Sequence, residues 1–506
     1  MLSRPNQQLD RAPAVPSLKI NPEASKAPLE SAFAAWVVGF VAIFAAYVLV
    51  QGRQIGVELF YAPWHHDDFS MLGGEGQVSL FNMRPVSSDI FIFFGRLGVT
   101  SFYSIFAAIW LTATTAISVF AYRVFELRPS PFLYLIFAFA GSAIWYATAP
   151  SIQSLQYLGL ITNSISLMFG FFAALVFLQL TQLQFGSTRY VTTALVFAPL
   201  VALAAFAKED MVAFLMLVAI GWGGLTKSQD RFRTSALGVV IVAVCYMASV
   251  AHGKFVGSVI TAGVGPYNIT DLPHNLISNF RFYLTASPAT SVLIGLFTAA
   301  VALLGALSVW RPTLRPTFKS GLFILLCALA LLAPYLILPR QFDYYVMNFV
   351  PLIAFSVAPL ALTFGRTAMS AVVISVLCLL LFSDRWPTYY DMAWMQDVKR
   401  RSLLQAQEVK RAVDLGLLHC SSVSVTGVDD SLGPFLSSPG YIATLVGKNI
   451  KWLIQAKPGS LMDLNAARFA TETWKYSPAI ENSDCRLDFD AKTMRAVFTT
   501  LVNGPK

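Results

Sequence analysis

Most of this chain consists of apolar runs of about twenty residues that alternate with short polar links, which is the length a helix needs to cross a membrane. The pattern predicts a mainly α-helical, polytopic transmembrane bundle over residues 31–383. We expect about eleven spans on this length criterion. Their approximate bounds are 31–50, 101–121, 131–149, 162–180, 191–207, 211–226, 235–252, 290–309, 321–338, 350–364 and 369–383.

Composition agrees with a membrane protein. Only 12% of the 506 residues are charged, whereas ordinary soluble proteins have about 25%. The formal net charge is +9, but the basic residues lie largely in the links between spans. Membrane orientation explains that placement, so we predict membrane lipids as partners and no nucleic acid.

The charges of the links predict the orientation of the bundle. Five links on one side all carry Arg or Lys: 122–130, 182–190, 226–235, 310–320 and 364–368. Basic links remain in the cytoplasm, so this side is predicted to be cytoplasmic together with the polar tail 1–30, which we expect to be disordered. The longer loops 51–100 and 253–289 and the region after 384 are then outside.

A cluster of acidic and imidazole side chains lies in the first outer loop, where His65, His66, Asp67 and Asp68 are consecutive. A carboxylate in such a cluster can act as the general base that deprotonates an attacking group. Side chains alternate along an extended backbone, so only one of the two aspartates is expected to point into a site. We favour Asp67 narrowly. A helix cap and a surface cluster are the alternatives for these residues.

Three charges, Lys208-Glu209-Asp210, lie between two apolar runs with almost no linker. Charges facing lipid are costly, so these side chains must lie at the water boundary or in a cavity. A tight interfacial turn with snorkelling side chains is the other interpretation. No cofactor is predicted with certainty. A divalent cation, Mg²⁺ or Mn²⁺, that bridges an aspartate (Asp67 or Asp68) and Glu209 is the metal alternative.

Two further outer segments carry candidate binding residues. The loop 253–289 contains Tyr267, His274 and Arg281, and its Gly and Pro residues predict an irregular binding loop or lid. Arg340 and Tyr344 follow a later span. A guanidinium there suits a lipid phosphate, although an interfacial anchor would have the same composition.

The end of the first outer loop predicts a short amphipathic helix on the membrane surface. This helix starts at Pro85, which follows Arg84, and it contains the apolar residues after Ser88.

Composition changes after Ser383, and residues 384–506 are predicted to form a small mixed α/β domain outside the cytoplasm. Candidate strands are 422–427, 442–446 and 450–454. Cys420 and Cys485 both lie in this region. They either form a disulfide, as an oxidising compartment permits, or remain free buried thiols.

The layout resembles the GT-C superfamily of polyprenyl-phosphate-dependent glycosyltransferases. The resemblance rests on Asp67-Asp68 behind the first span, Arg84-Pro85, Lys208-Glu209 at a span junction and Arg340 at the start of a late span. It implies an inverting transfer of a sugar from a polyprenyl phosphate, such as undecaprenyl phosphate, to an extracytoplasmic glycan, lipid or protein.

The resemblance also implies roles and a location. Asp67 and Asp68 would be catalytic, and Arg340, Lys208 and Arg84 would bind the donor phosphate. The residues that would contact the substrate are His65, His66, Glu209, Tyr267, His274, Arg281 and Tyr344. The location would be a bacterial inner membrane, with the catalytic loops in the periplasm.

Two other functions stay open. A polymerase or ligase of lipid-linked glycans would depend on His274 and Arg281 more than on Asp67. A transporter would place binding groups near mid-membrane, often within internal repeats, whereas the ionisable residues here concentrate at the predicted outer ends of spans.

Overall fold

The structure is a computed structural model, and most of its described residues are helical. The residues that it describes are 34, 36–46, 85–95, 99–126, 131–146, 161–222, 225, 230–260, 272–285, 288–338, 343–365, 392–428, 434–436, 439–447, 449–460, 462–463, 470, 472–479 and 482–501. The helices before residue 370 are α1 Trp36–Ala46, α2 Pro85–Gly95, α3 Val99–Val124, α4 Pro131–Tyr146, α5 Ile161–Leu180, α6 Thr188–Ala207, α7 Met211–Leu217, α8 Arg231–Ile260, α9 Leu272–Leu284, α10 Pro288–Trp310, α11 Arg315–Leu336 and α12 Val350–Thr363. A π-helical turn, Val218–Trp222, continues α7.

Six helices are long and apolar enough to cross a membrane: α3, α5, α6, α8, α10 and α11. The described residues also contain four shorter apolar helices: α1, α4, α7 with its π-helical turn, and α12. The predicted span 369–383 lies outside the described residues. The chain is therefore a helical membrane protein with six candidate spans in its described part, and the count of about eleven stays a prediction that rests on the length criterion.

The bundle has two chemically different ends. At one end, which we call the basic end, Ser320 near the start of α11 donates a hydrogen bond of 2.8 Å to the carbonyl of Val124 at the end of α3. Arg123, Arg311 and Lys319 lie in the same two regions of the chain. At the opposite end, which we call the site end, α5 begins and α6 and α11 finish.

The helix α1 runs from the basic end toward the site end. Gly39 packs against Tyr134 in the first turn of α4, which itself contacts Tyr122 near the end of α3. From there α1 enters the core, because Ile43 and Ala46 are fully buried.

A helix, α2, begins at Pro85, where the surface helix is predicted to start. Its place on the membrane surface stays a prediction. Its first turn is attached to the site end, because Ser87 Oγ donates a hydrogen bond of 2.9 Å to the carbonyl of Ala207, the last residue of α6. α2 therefore begins next to the break between α6 and α7.

The prediction of an irregular loop over 253–289 is partly wrong. α8 continues to Ile260, and α9 occupies Leu272–Leu284. Amphipathic periodicity favours helix in α9 despite Pro273, because a proline in the first turn of a helix removes no hydrogen bond.

The C-terminal domain is a mixed five-stranded sheet with flanking helices. Its elements are α13 Met392–Asp414, β1 Ser422–Thr426, α14 Pro439–Val446, β2 Lys451–Gln455, β3 Trp474–Ser477, β4 Cys485–Phe489 and β5 Ala496–Thr500. The strand order is β3-β2-β1-β4-β5. Neighbours pair in parallel except β4 and β5, which are antiparallel.

One face of this sheet carries the core of the domain. Val423, Val425 and Leu487 project into it and meet Val409 of α13 and Ile442 of α14. The strands predicted at 422–427 and 450–454 are confirmed to within one residue. The strand predicted at 442–446 is wrong, because these residues form the end of α14.

Cys420 and Cys485 are joined by a disulfide with their Cα atoms 6.0 Å apart. The disulfide links Cys420, which lies just before β1, to Cys485, the first residue of β4. Next to it, Asp484 accepts hydrogen bonds from the Ser421 hydroxyl and from the backbone N–H groups of Ser421 and Ser422, at 2.9 and 3.1 Å for the two N–H groups.

Candidate functional site

Many of the residues that the sequence analysis selects lie outside the described part of the chain. They are His65, His66, Asp67, Asp68, Arg84, Tyr267 and Arg340, together with the side chain of Tyr344. Their roles stay predictions. The selected residues that the structure describes at the site end are Lys208, Glu209, His274 and Arg281.

Of the three charged side chains at residues 208–210, two are buried and one is exposed. α6 ends because Lys208 adopts an extended backbone, with φ −167° and ψ 138°, and α7 starts again at Met211. Lys208 and Asp210 are 6% and 7% exposed, whereas Glu209 is exposed. The buried acid beside the lysine is therefore Asp210. The substrate-binding role of the exposed Glu209 stays a prediction.

The Lys208 ammonium is surrounded by polar and aromatic groups. Its Nζ lies 3.1 Å from an Asp210 carboxylate oxygen, and it donates to Asn163 Oδ1 at 2.8 Å and to the Tyr335 hydroxyl at 2.9 Å. The rings of Tyr335 and Tyr345 lie 4.9 and 5.0 Å from it. Burial of a lysine ammonium without partners costs roughly several kcal/mol, because the charge loses its hydration. These contacts replace the lost water.

Asp210 is held by other side chains. The Tyr335 hydroxyl donates to one of its carboxylate oxygens, and Ser166 Oγ donates to the other at 3.1 Å. Tyr335 therefore contacts both the ammonium and the carboxylate, and its ring stacks on Tyr345 with centroids 4.2 Å apart. The charged pair is thus part of a hydrogen-bonded group that joins α5, α7 and α11.

An amide pair completes this group. Asn163 Nδ2 donates to Asn348 Oδ1 at 3.2 Å, and both residues are 2% exposed. Asn348 ends a 3₁₀ helix, Asp343–Asn348, that leads into α12. Its Nδ2 has no hydrogen-bond partner within the described part of the chain, so one buried donor is left for another molecule or a water.

We call Asn163, Lys208, Asp210, Tyr335 and Asn348 the buried polar cluster. Sequence reasoning found Lys208 and Asp210 in the run of three charges, but it assigned a binding role only to Lys208. A usable signal existed for Asn163, because four polar residues, Thr162, Asn163, Ser164 and Ser166, occupy the start of an otherwise apolar helix. Tyr335 and Asn348 have no comparable local signal.

The end of α11 is fixed by α9. Pro334 cannot donate a backbone hydrogen bond, and the last carbonyls of any helix lack partners within it. Asn279, which is 2% exposed, directs its Nδ2 at the carbonyls of Tyr335, Leu336 and Leu338, at 3.2, 3.0 and 2.6 Å. The α9 helix is thereby attached to the backbone of a cluster residue.

His274 and Arg281 are not brought into the buried polar cluster. They lie on an exposed side of α9, where both line an open surface depression. Within the described residues, no group of three or more His, Cys, Asp or Glu side chains has a geometry that could hold a metal ion. The proposed metal ligands Asp67 and Asp68 lie outside those residues.

Comparison with models of known protein families finds no match for this chain, and comparison with curated proteins finds no similar sequence. What the structure establishes is a helical membrane protein with six candidate spans in its described part and a C-terminal mixed α/β sheet domain.

Proposed function

We propose that this protein is a membrane glycosyltransferase that moves a sugar from a polyprenyl-phosphate donor to an acceptor outside the cytoplasm, with inversion at the anomeric carbon. An aspartate of the 65–68 cluster, Asp67 or Asp68, is the general base. The acceptor is a glycan, a lipid or a protein. In a bacterial inner membrane the site end of the bundle faces the periplasm.

The main support is the position of the two helices that flank the aspartates in the sequence. α1 runs toward the site end, and Ser87 in the first turn of α2 is hydrogen-bonded to Ala207, next to Lys208. The helix that follows the aspartates in the sequence is therefore attached beside the buried polar cluster. Chemistry by Asp67 or Asp68 would take place at this end of the membrane, where a lipid phosphate head group is located.

The disulfide of the C-terminal domain supports the orientation. Disulfides persist in oxidising compartments such as the bacterial periplasm and are rare in the cytoplasm. Cys420 and Cys485 lie after the last predicted span, on the side that the link charges assign to the outside. The link charges and the disulfide therefore both support a cytoplasmic basic end.

The buried polar cluster has a positioning role in this proposal. Lys208 Nζ already contacts Asp210, Asn163 and Tyr335, so the cluster fixes the ends of α5, α6 and α11 around the site. Asn348 Nδ2 has no partner among the described residues, and in this proposal it donates to a substrate oxygen.

A transporter is the second candidate, since a buried Lys–Asp pair within membrane helices is typical of ion and proton pathways. The position of the pair favours the transferase. Lys208 lies at the end of α6, and Tyr335 lies in the last turn of α11, so the cluster is at one end of the bundle rather than at its middle, where transporters bind their substrates. A glycan ligase remains the alternative if His274 and Arg281 carry the activity instead of Asp67.

A complementation experiment in the source organism tests the proposal. The gene is deleted, and wild type, Asp67→Asn, Asp68→Asn or the control Asp89→Asn is restored at matched protein level. Surface glycans and polyprenyl-phosphate sugars are then measured. We expect one of the first two variants to lose a sugar modification and to accumulate its donor, while Asp89→Asn restores both. Full restoration by Asp67→Asn and Asp68→Asn would contradict the proposal.

A further inference from the structure

Asn348 is the end of a directed chain of hydrogen bonds. Lys208 Nζ can only donate, so the side-chain oxygen of Asn163 has to face it, at 2.8 Å. The amide nitrogen of Asn163 then points to Asn348, where it donates to Oδ1 at 3.2 Å. Asn348 Nδ2 remains at the far end, without a hydrogen-bond partner in the described part of the chain. The orientation of both amides therefore follows from the charge of Lys208.

The far end of this chain of hydrogen bonds is a strengthened donor. Asn163 and Asn348 are each 2% exposed, and hydrogen bonds in series polarise one another where water is excluded. The Lys208 ammonium therefore makes Asn348 Nδ2 a better donor than an isolated amide. A buried donor without a partner is unfavourable, so this position calls for an oxygen that accepts a hydrogen bond. The residues that the structure describes do not supply one.

The side of the protein from which a ligand could reach Asn348 is marked by Tyr345. Residues three apart in a 3₁₀ helix lie on the same side of it, so Tyr345 and Asn348 share one side of the helix Asp343–Asn348. Tyr345 is half-buried, and its ring stacks on Tyr335 and lies 5.0 Å from Lys208 Nζ. Asn348 itself is enclosed. Movement of the Tyr345 ring would therefore open a route to Nδ2.

The oxygens of the buried polar cluster already accept hydrogen bonds. Oδ1 of Asn163 accepts from Lys208, and Oδ1 of Asn348 accepts from Asn163. The Asp210 carboxylate accepts from the Tyr335 hydroxyl and is paired with Lys208. A hydroxyl bound at Asn348 would bring a proton of its own to groups that already have their donors, and a buried unpaired donor is unfavourable. A carbonyl oxygen brings no proton, so it suits the position better than a hydroxyl.

The charges of the cluster cancel. Lys208 and Asp210 form an ion pair, and the other members, Asn163, Tyr335 and Asn348, are amides and a phenol. A carboxylate or a phosphate at Asn348 would bury a charge without a counterion, which is costly. The carbonyl oxygen of an amide satisfies the donor and adds neither a charge nor an unpaired proton.

We propose that Asn348 Nδ2 binds the carbonyl oxygen of an acylamino group on the transferred sugar, which makes the protein selective for an N-acylated sugar over its parent hexose. Asn348 is the specificity-determining residue, and Lys208 and Asn163 orient it. A sugar is assigned as the ligand because a lipid-linked donor reaches a site among membrane helices, and this step rests on the proposed function. The binding of a neutral carbonyl oxygen at Asn348 does not.

Binding of sugars to the full chain in nanodiscs tests this site without requiring transfer. N-acetylglucosamine, N-acetylgalactosamine and N-acetylmannosamine are compared with glucose, galactose and mannose, which carry a hydroxyl in place of the acetamido group. Affinities come from the rise in melting temperature with sugar concentration. One N-acetyl sugar should bind at least about tenfold more tightly than its parent hexose, the difference expected for one unpaired buried group. Equal binding in all three pairs, the result expected if Nδ2 only holds an enclosed water, would overturn the proposal.

The variant Asn348→Leu tests whether the preference comes from this residue. Leucine keeps the branched shape and removes the donor, while Asn163 Nδ2 retains the Tyr335 hydroxyl at 3.3 Å. The variant should bind both sugars of the pair alike. Asn482→Leu makes the same change at an exposed position of the C-terminal domain and should keep the wild-type preference. A preference that persists in Asn348→Leu would refute the assignment, and Asn348→Ala is judged by the same criterion if the leucine variant does not fold.

Failure of this site and failure of the proposed function give different results. If an N-acetyl sugar is preferred through Asn348 but the purified protein transfers no sugar, the binding site stands and the transferase proposal falls. If undecaprenyl-phosphate sugars with and without the N-acetyl group are consumed at equal rates, and both reactions depend on Asp67 or Asp68, the transferase stands and the selectivity at Asn348 falls.

Discussion

Lys208 Nζ lies 3.1 Å from a carboxylate oxygen of Asp210, and both side chains are 8% exposed. The two residues occupy the break between α6 and α7, where Lys208 ends the first helix with an extended backbone. Because the two side chains share Tyr335 as a third partner, the break between the helices is attached to α11. This relationship fixes the geometry of the site end.

Breaking the Lys208–Asp210 pair should destabilise the protein strongly. Asp210→Ala leaves an uncompensated buried ammonium, which costs about 3–5 kcal/mol. The double variant Lys208→Met with Asp210→Leu should recover part of that loss, because it removes both charges together. Glu209→Gln, at the exposed neighbour, should change stability by less than about 0.5 kcal/mol. Thermal unfolding of detergent-solubilised protein measures all three, and equal stability of Asp210→Ala and Glu209→Gln would contradict the pairing.

Loss of the Asn279 amide should loosen the end of α11. Asn279→Ala leaves carbonyls at Tyr335 and Leu336 without that donor, which costs about 1–3 kcal/mol for buried groups. Asn275→Ala is a matched control on the same helix, because its amide reaches the Ile337 carbonyl only at 3.5 Å. Hydrogen exchange at residues 335–338 should increase in the first variant and not in the second. Similar exchange in both would show that Asn279 does not secure the helix end.

The disulfide should stabilise the C-terminal domain and report its location. Cys420 and Cys485 are 65 residues apart, and removal of such a crosslink typically costs about 2–4 kcal/mol. In intact cells both thiols should resist maleimide labelling until a reductant is added. The Cys420→Ala, Cys485→Ala double variant should show faster proteolysis of residues 392–501. Labelling of both thiols without reduction would contradict the bridge.

Acid should weaken the hydrogen bonds that Asp484, the residue before β4, accepts from Ser421 and Ser422 at the start of β1. Hydrogen bonds from the Ser421 hydroxyl, and then from the Ser421 and Ser422 N–H groups, lower the pKa of Asp484 below its ordinary value. A carboxyl whose pKa is depressed on folding stabilises the domain at pH above its unfolded pKa of about 3.9, and this stabilisation is lost as pH falls through the folded value. Protection of β1 and β4 amides, corrected for intrinsic exchange, should therefore decline below about pH 4 in wild type. Asp484→Asn should lower the protection at pH 7 and reduce its pH dependence, and identical pH profiles would rule out this role.

The helices and one part of the site could be predicted from sequence because they depend on local patterns. The helix α2 follows from Pro85 and the apolar residues after it, and β1 from alternation at residues 422–426. Lys208 was found because charges without a linker cannot face lipid. Residues 442–446 were misjudged because a short apolar run with β-branched residues suits both a strand and a buried helix.

The remaining site residues depend on contacts that no local pattern encodes. Asn163, Tyr335 and Asn348 meet across separations of 172 and 185 residues. The choice of Asp210 over Glu209 as the buried acid depends on the extended backbone at Lys208, which redirects the side chains after it. Only the packing of α5 and α11 at the same end of the bundle makes these residues a group.

Sugar transfer by the purified protein tests the central claim most directly. Wild type, Asp67→Asn and Asp68→Asn in nanodiscs are given a panel of undecaprenyl-phosphate monosaccharides, with membranes from the deletion strain as the source of acceptor. Release of undecaprenyl phosphate is measured. The account predicts that wild type consumes one donor and that one aspartate variant, folded to the same extent, is slower by at least about 100-fold, the usual contribution of a general base. Consumption of a donor at equal rates by all three proteins, or of none by wild type, would contradict it.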